Sequence, residues 1–140
     1  MNEASLLLLA NPSWGKIQSY SRHGDCFVLK LDHKTIAIVV IVPKQKGIME
    51  ITNIAIHPLM QRNGFGHIVL NAALDHARVK GARSEIVSTG NSSFGPLALY
   101  NACGFIISSV NKGYFLRDYD KSIYENNVQC IDHINLSLSL

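Results

Sequence analysis

Apolar residues in this chain fall mostly into short runs separated by polar turns, and in one stretch they repeat every four residues. Four leucines at residues 6–9 read as a short buried strand. Asn11-Pro12-Ser13 then supplies turn and helix-start chemistry for a helix to about Arg22, closed by Gly24. Residues 26–31 and 35–42 are strand-like and joined by the polar Asp32-His33-Lys34, which predicts a hairpin. Pro43 and Gly47 precede another strand at residues 48–56. Val69, Ala73 and Ala77 then recur at four-residue spacing with Leu70 and Leu74 beside them, while Asn71, Asp75 and Arg78 point outward. That spacing predicts an amphipathic helix, ended by Gly81. Residues 85–88 read as a strand, and the loop Gly90-Asn91-Ser92-Ser93 can cap a helix near residues 96–102. Strands near residues 105–110 and 128–138 complete the chain. The order predicts an α+β fold with a mixed, mainly antiparallel sheet flanked by helices.

The 140 residues suit one domain, 1–140, able to bury about two-thirds of its unfolded surface. The longest apolar run, residues 36–43, is far short of the roughly 20 residues a membrane helix needs, and residues 6–10 lack the basic flank of a secretion signal. These features predict no membrane partner. A formal charge of +3 invites a nucleic-acid reading, but Lys and Arg are scattered among acids instead of gathered on one run, so no nucleic-acid partner is expected. Cys26, Cys103 and Cys130 are odd in number and form no CxxC pair, which fits a reducing cytoplasm and no structural zinc. The six histidines lack ligand spacing, so no metal site is predicted.

The densest chemistry lies in Gln61-Arg62-Asn63-Gly64-Phe65-Gly66, between a strand and the amphipathic helix. A glycine-bearing turn that opens a helix collects backbone amides around an anion, and the helix start adds partial positive charge. A diphosphate suits such a nest. No Lys follows a glycine at P-loop spacing, and Val69 stands where a dinucleotide fingerprint needs its third glycine, although Glu85 is near the distance expected of a ribose-binding acid.

The segment Ala55-Ile56-His57-Pro58-Leu59-Met60-Gln61-Arg62-Asn63-Gly64-Phe65-Gly66 resembles the acetyl-CoA-binding motif of the GCN5-related N-acetyltransferases, or GNAT family. Downstream, Leu99-Tyr100-Asn101-Ala102-Cys103-Gly104-Phe105 resembles the family's Leu-Tyr-x-x-x-Gly-Phe segment. The resemblance covers roughly residues 48–111 and implies a GNAT-type fold with acetyl-CoA as co-substrate. It implies that main-chain amides of Arg62, Asn63, Gly64, Phe65 and Gly66 meet the pyrophosphate, with Gln61 shaping the turn. It also implies that the strand carrying Ile54, Ala55 and Ile56 pairs with pantetheine, and that Asn91 contacts the same arm. Imperfect alternation over residues 50–54 suggests a bulge there. Two departures stand out: the family usually places two helices between its first two strands where one is evident here, and Gly95-Pro96 replaces a smoother helix start.

Acetylating an alkyl amine requires a proton acceptor, since exposing the lone pair at pH 7 costs about 4.6 kcal/mol for a pKa near 10.4. Glu50 stands six residues before Ile56, where the family's histone-acetylating branch carries its glutamate base. Burial would raise it toward a working range. Tyr100 matches the tyrosine that assists the departing thiolate, and full proton transfer from phenol to thiol is uphill by about 2 kcal/mol. The resemblance thus puts the acetyl end between Glu50 and Tyr100; a helical Cys103 is expected to be inert. It also sets residues 113–126, with Asp118, Asp120, Glu125, Tyr114, Tyr119 and Tyr124, beside the acceptor mouth, a composition that a solvated loop explains equally. The expected activity is direct acetyl transfer to a primary amine, preferably of a small molecule. Protein or peptide amines, or a non-catalytic acyl-CoA-binding regulatory module, are the alternatives. A homodimer paired through the C-terminal strand is compatible with this layout.

Overall fold

Residues 36–42 are buried without interruption, and successive side chains of one strand are hidden together only when both faces are covered. They belong to β2 (Lys34–Gln45), which pairs antiparallel with β1 (Asp25–Leu31) and with β3 (Ile48–Ile56). The computed structural model describes residues 24–140, so the strand expected at residues 6–9 and the helix expected to about Arg22 lie outside the described residues. Two compact units emerge: one runs to Glu85 and takes in Leu140, the other is Ile86–Ser139.

In the first unit the expected hairpin turns through Asp32 and His33, both with positive φ (51° and 66°). Two left-handed residues give a turn whose twist matches that of the flanking strands. The amphipathic stretch forms α1 (Phe65–Val79), whose buried Val69, Leu70, Ala73, Leu74 and Ala77 are the residues the four-residue spacing singles out. That stripe belongs to a helix packed on β1, β2 and β3. Hiding a leucine such as Leu70 contributes about 1.5–3 kcal/mol. His76 ties the end of the helix to β1: its Nε2 lies 2.9 Å from Asp25 Oδ2, and its ring meets Phe27 edge-on at 5.0 Å.

From Ser84 onward come β4 (Ser84–Gly90), α2 (Phe94–Ala102), β5 (Ile106–Asn111), α3 (Tyr114–Asp118), β6 (Ile123–Glu125), β7 (Val128–Cys130) and β8 (His133–Ser139). Instead of one strand over residues 128–138 there are two. The amides of Ile131 and Asp132 donate to Asn91 Oδ1 (2.7 and 2.9 Å), which bends the chain away from strand pairing at that point. β7 makes a separate ribbon with β6, closed by Asn126 and Asn127 at positive φ, and the expected loop over residues 113–126 holds α3 and β6. β8 has β4 on one side and β5 on the other. β8 is thereby paired on both edges and offers no free edge to a second copy, whereas β7 is paired only with β6.

Candidate active site

β3 delivers the chain to the glycine turn. Thr52 drops out of register with β2, Val40 facing Asn53 and Ile41 facing Ile51, and its hydroxyl donates to Val40 O at 3.3 Å. The bulge is thus where the sequence suggests one, yet the buried residues Met49, Ile51, Asn53 and Ala55 alternate without a break. Ala55 is buried, and Ile54 and Ile56 are half-buried on either side of it.

Past Ile56 the main chain is fixed from within. His57 N donates to Ile36 O (2.7 Å), Met60 N to His57 O (2.8 Å), and Leu59 N to His57 Nδ1 (3.1 Å), forming a short 3₁₀ turn at Pro58–Met60. Gln61 Nε2 donates back to Ile56 O at 3.3 Å, and Asn63 Nδ2 bridges Met60 O and Gln61 O at 3.2 Å each. Arg62 adopts φ 65° and Gly64 φ 81°. Gly64 sits at the N-cap of α1, where no side chain caps the helix and no acid occupies the first turn. The first intrahelical bond is Ile68 N to Gly64 O at 3.3 Å, so the amides of Phe65 and Gly66 lie in the first turn, which the helix's own ladder does not reach. Uncapped amides, a glycine turn and exposed residues 61–64 suit an anionic diphosphate.

Glu50 lies on β3 opposite Val42, its side chain 21% exposed, with Lys44 Nζ 3.9 Å from its Oε1. Burial pushes its carboxyl above the ordinary value, and the Lys44 charge pulls it partly back. At 3.9 Å and half exposed, Lys44 screens Glu50 weakly and makes no hydrogen bond to it. A second carboxyl, not assigned to this site from sequence, belongs to the same unit. Glu85 is 0% exposed, and burial followed by the Glu50 charge raises it to about 7. One signal could have found it: Glu85 and the buried Val87 share strand parity, so they point to the same side.

In the second unit Tyr100 is 3% exposed and its phenol is raised well above its ordinary value by burial, so it stays protonated. Its ring lies 5.7 Å from that of Phe105. The Leu-Tyr-x-x-x-Gly-Phe segment is a helix stop: Gly104 takes φ 96°, its amide donates to Asn101 O, and Phe105 N donates to Tyr100 O at 3.0 Å. Asn91 acts as a clamp. Its Oδ1 accepts from Ile131 and Asp132, and its Nδ2 donates to Gln129 O at 3.2 Å. Both lone pairs of that oxygen are thereby used, leaving one amide hydrogen for any ligand. Glu125 Oε1 accepts from Ser93 Oγ at 2.8 Å, while Tyr114, Phe115, Tyr119 and His133 form a ring cluster in which Tyr114 and His133 stack at 4.1 Å. Residues 113–126 are thus largely ordered; Tyr124 remains exposed. Burial raises the Cys103 thiol, disfavouring the thiolate that a nucleophile would require. Among the described residues no group of acids, histidines and cysteines could hold a metal ion, and no helix is long and apolar enough to cross a membrane.

A glycine turn at a helix start and a partly buried carboxylate on the strand leading into it are features of the first unit suited to acyl transfer. Comparison with known proteins specifies the class. Residues 7–105 match the Acetyltransferase (GNAT) family. The N-acetyltransferase YvbK of Bacillus subtilis is 37% identical over 135 residues, covering 96% of this chain and 87% of that protein. An IAA acetyltransferase from Bacillus cereus superposes with TM-score 0.95 at 39% identity, covering 99% of this chain and 93% of its own. A GNAT family acetyltransferase from Elizabethkingia anophelis, solved with acetyl-CoA bound, gives TM-score 0.95 at 34% identity, covering 100% and 92%. The chain belongs to the GNAT family of acetyltransferases.

Proposed function

We propose that this acetyltransferase moves acetyl directly from acetyl-CoA to a primary amine, with small-molecule amines as its acceptors. The donor is acetyl-CoA, as in the E. anophelis relative. The observation that carries the reading is Glu50, a partly buried carboxyl whose proton affinity is raised by its surroundings on the strand leading into the glycine turn. Raised proton affinity brings a glutamate nearer the pKa at which a general base works at neutral pH. The amides of residues 62–66 hold the pyrophosphate, with Gln61 fixing the turn and the exposed Arg62 adding charge. The backbone of residues 54–56 pairs with pantetheine, and Asn91 offers it the remaining amide hydrogen. Glu50 accepts the amine's proton, and Tyr100, held protonated by burial, donates a hydrogen bond to the departing sulfur. The family match crosses both compact units, which supports one catalytic domain. The three cysteines form no disulfide, which supports a cytoplasmic setting.

Following thiol release from acetyl-CoA across polyamines, aminoglycosides, amino acids and peptides tests the reading, with Glu50→Gln and Tyr100→Phe as controls. Release stimulated by a small amine and suppressed in Glu50→Gln is the expected result. Response to peptides alone would replace the acceptor class; binding without amine-stimulated release would make the chain a regulatory module.

A further inference from the structure

Glu85 is the one fully buried carboxyl among the described residues, and neither of its oxygens has a hydrogen-bond partner there. Such a group costs the fold stability, since a buried carboxyl without a partner loses its hydration and gains nothing in exchange. Its location relates it to Glu50. Gly47 O accepts from Arg83 N (2.7 Å) and Ser84 N (3.2 Å), so the chain just before Glu85 runs beside the chain three residues before Glu50. With about 3.3 Å per residue and about 4.8 Å between strands, the two glutamate backbones lie within about 10 Å of each other. The Glu50 charge is felt at Glu85, and the coupling is reciprocal: a charge on Glu85 must raise the proton affinity of Glu50 equally. Lys44 lies 3.9 Å from Glu50 and its charge acts on that carboxyl, while the Arg83 guanidinium lies against Gly47.

We propose that Glu85 is a positioning residue for acetyl transfer: a sealed second carboxyl that keeps its proton in the resting protein and, on losing it to solvent, strengthens Glu50 as acceptor of the amine's proton. The inference rests on the reading of Glu50 as base. When Glu85 ionises, its O–H bond breaks and the pair carries two negative charges. Glu50 then takes the proton from the attacking amine, an N–H bond breaking as the Glu50 O–H forms and the electron pair remaining on nitrogen.

Carbon-13 NMR of the glutamate carboxyls in the full chain tests the coupling without catalysis, and kcat against pH at saturating acetyl-CoA and amine tests its use. In the unmodified protein the resonance absent from Glu85→Gln should titrate near neutrality, and in Glu50→Gln it should move to lower pH. In Glu85→Gln the Glu50 titration should stay in place, because Glu85 is still protonated where Glu50 titrates. That variant's kcat should lose the limb that rises through neutrality and fall about threefold at pH 8, with KM for acetyl-CoA unchanged. Glu85→Asp should restore part of that limb. Titration of Glu85 with the exposed carboxylates, or a Glu85 titration unmoved in Glu50→Gln, would overturn the proposal even if Glu85→Gln fails to fold. So would a loss of kcat equal at every pH. Coupled titrations in a chain that releases no thiol with any amine would refute the base role of Glu50 and leave the carboxyl pair standing.

Discussion

Glu50 and Tyr100 face opposite proton problems, and burial acts on both in the same direction, raising the proton affinity of each. For Glu50 that is useful, because a base must hold the proton it takes; for Tyr100 it makes full proton donation harder and leaves hydrogen bonding as its contribution. Glu50→Gln is accordingly expected to lower kcat/KM for the amine by about 100-fold or more, the usual scale of general-base loss, with acetyl-CoA affinity preserved. Steady-state kinetics with a responsive amine, alongside calorimetric titration of acetyl-CoA, reads both. Tyr100→Phe removes one hydrogen bond to a charged sulfur and should slow kcat about tenfold. Its backbone bond to Phe105 survives that change, so thermal unfolding should move little. Asn91 carries a structural task that residue type alone does not reveal. A polar residue after glycine at the end of a strand matches a ligand contact by position, but its oxygen is spent on the amides of Ile131 and Asp132, sequence neighbours forty positions away that no local pattern reveals.

Elements built from local rules were legible, and those decided by distant contacts were not. The four-residue repeat marks α1 through its buried stripe, and Gly104 and Phe105 mark the end of α2 because a left-handed stop needs glycine there. The break between β7 and β8 depends on Asn91, and α3 is five residues long, too short for periodicity to declare. In the candidate site, the glycine turn was readable as a motif, whereas Glu85 was read only against a dinucleotide fingerprint the chain does not carry. The turn itself invites a test. Gly64 has φ 81° with no atom within 4 Å of where a Cβ would stand, so Gly64→Ala meets conformational strain without a clash. That strain is worth about 1–2 kcal/mol, and it should also tilt the amides of the first turn. We expect weaker acetyl-CoA binding by calorimetry and a melting temperature lower by about 4 °C or more, with kcat at saturating donor nearly unchanged.

Over the whole molecule, Glu85 couples the site to stability. Its carboxyl is raised from 4.5 to about 7, first by burial and then by the Glu50 charge, so the folded protein holds a proton that the unfolded chain releases earlier. The sign follows from that difference. Protonation of Glu85 favours the fold, its contribution is complete below about pH 4.5, and it is lost as pH rises through about 7. At 1.36 kcal/mol per unit the loss amounts to about 3 kcal/mol for a group with no exposed surface. Glu50 adds to the same trend, since its carboxyl is raised too, though its partial exposure makes that share smaller. Denaturant unfolding of the chain should therefore show stability falling between pH 5 and pH 8. Glu85→Gln should flatten that slope because an amide of the same shape carries no proton to lose. A slope unchanged by the substitution would assign the pH dependence to other groups and remove the cost that keeps Glu85 protonated beside Glu50.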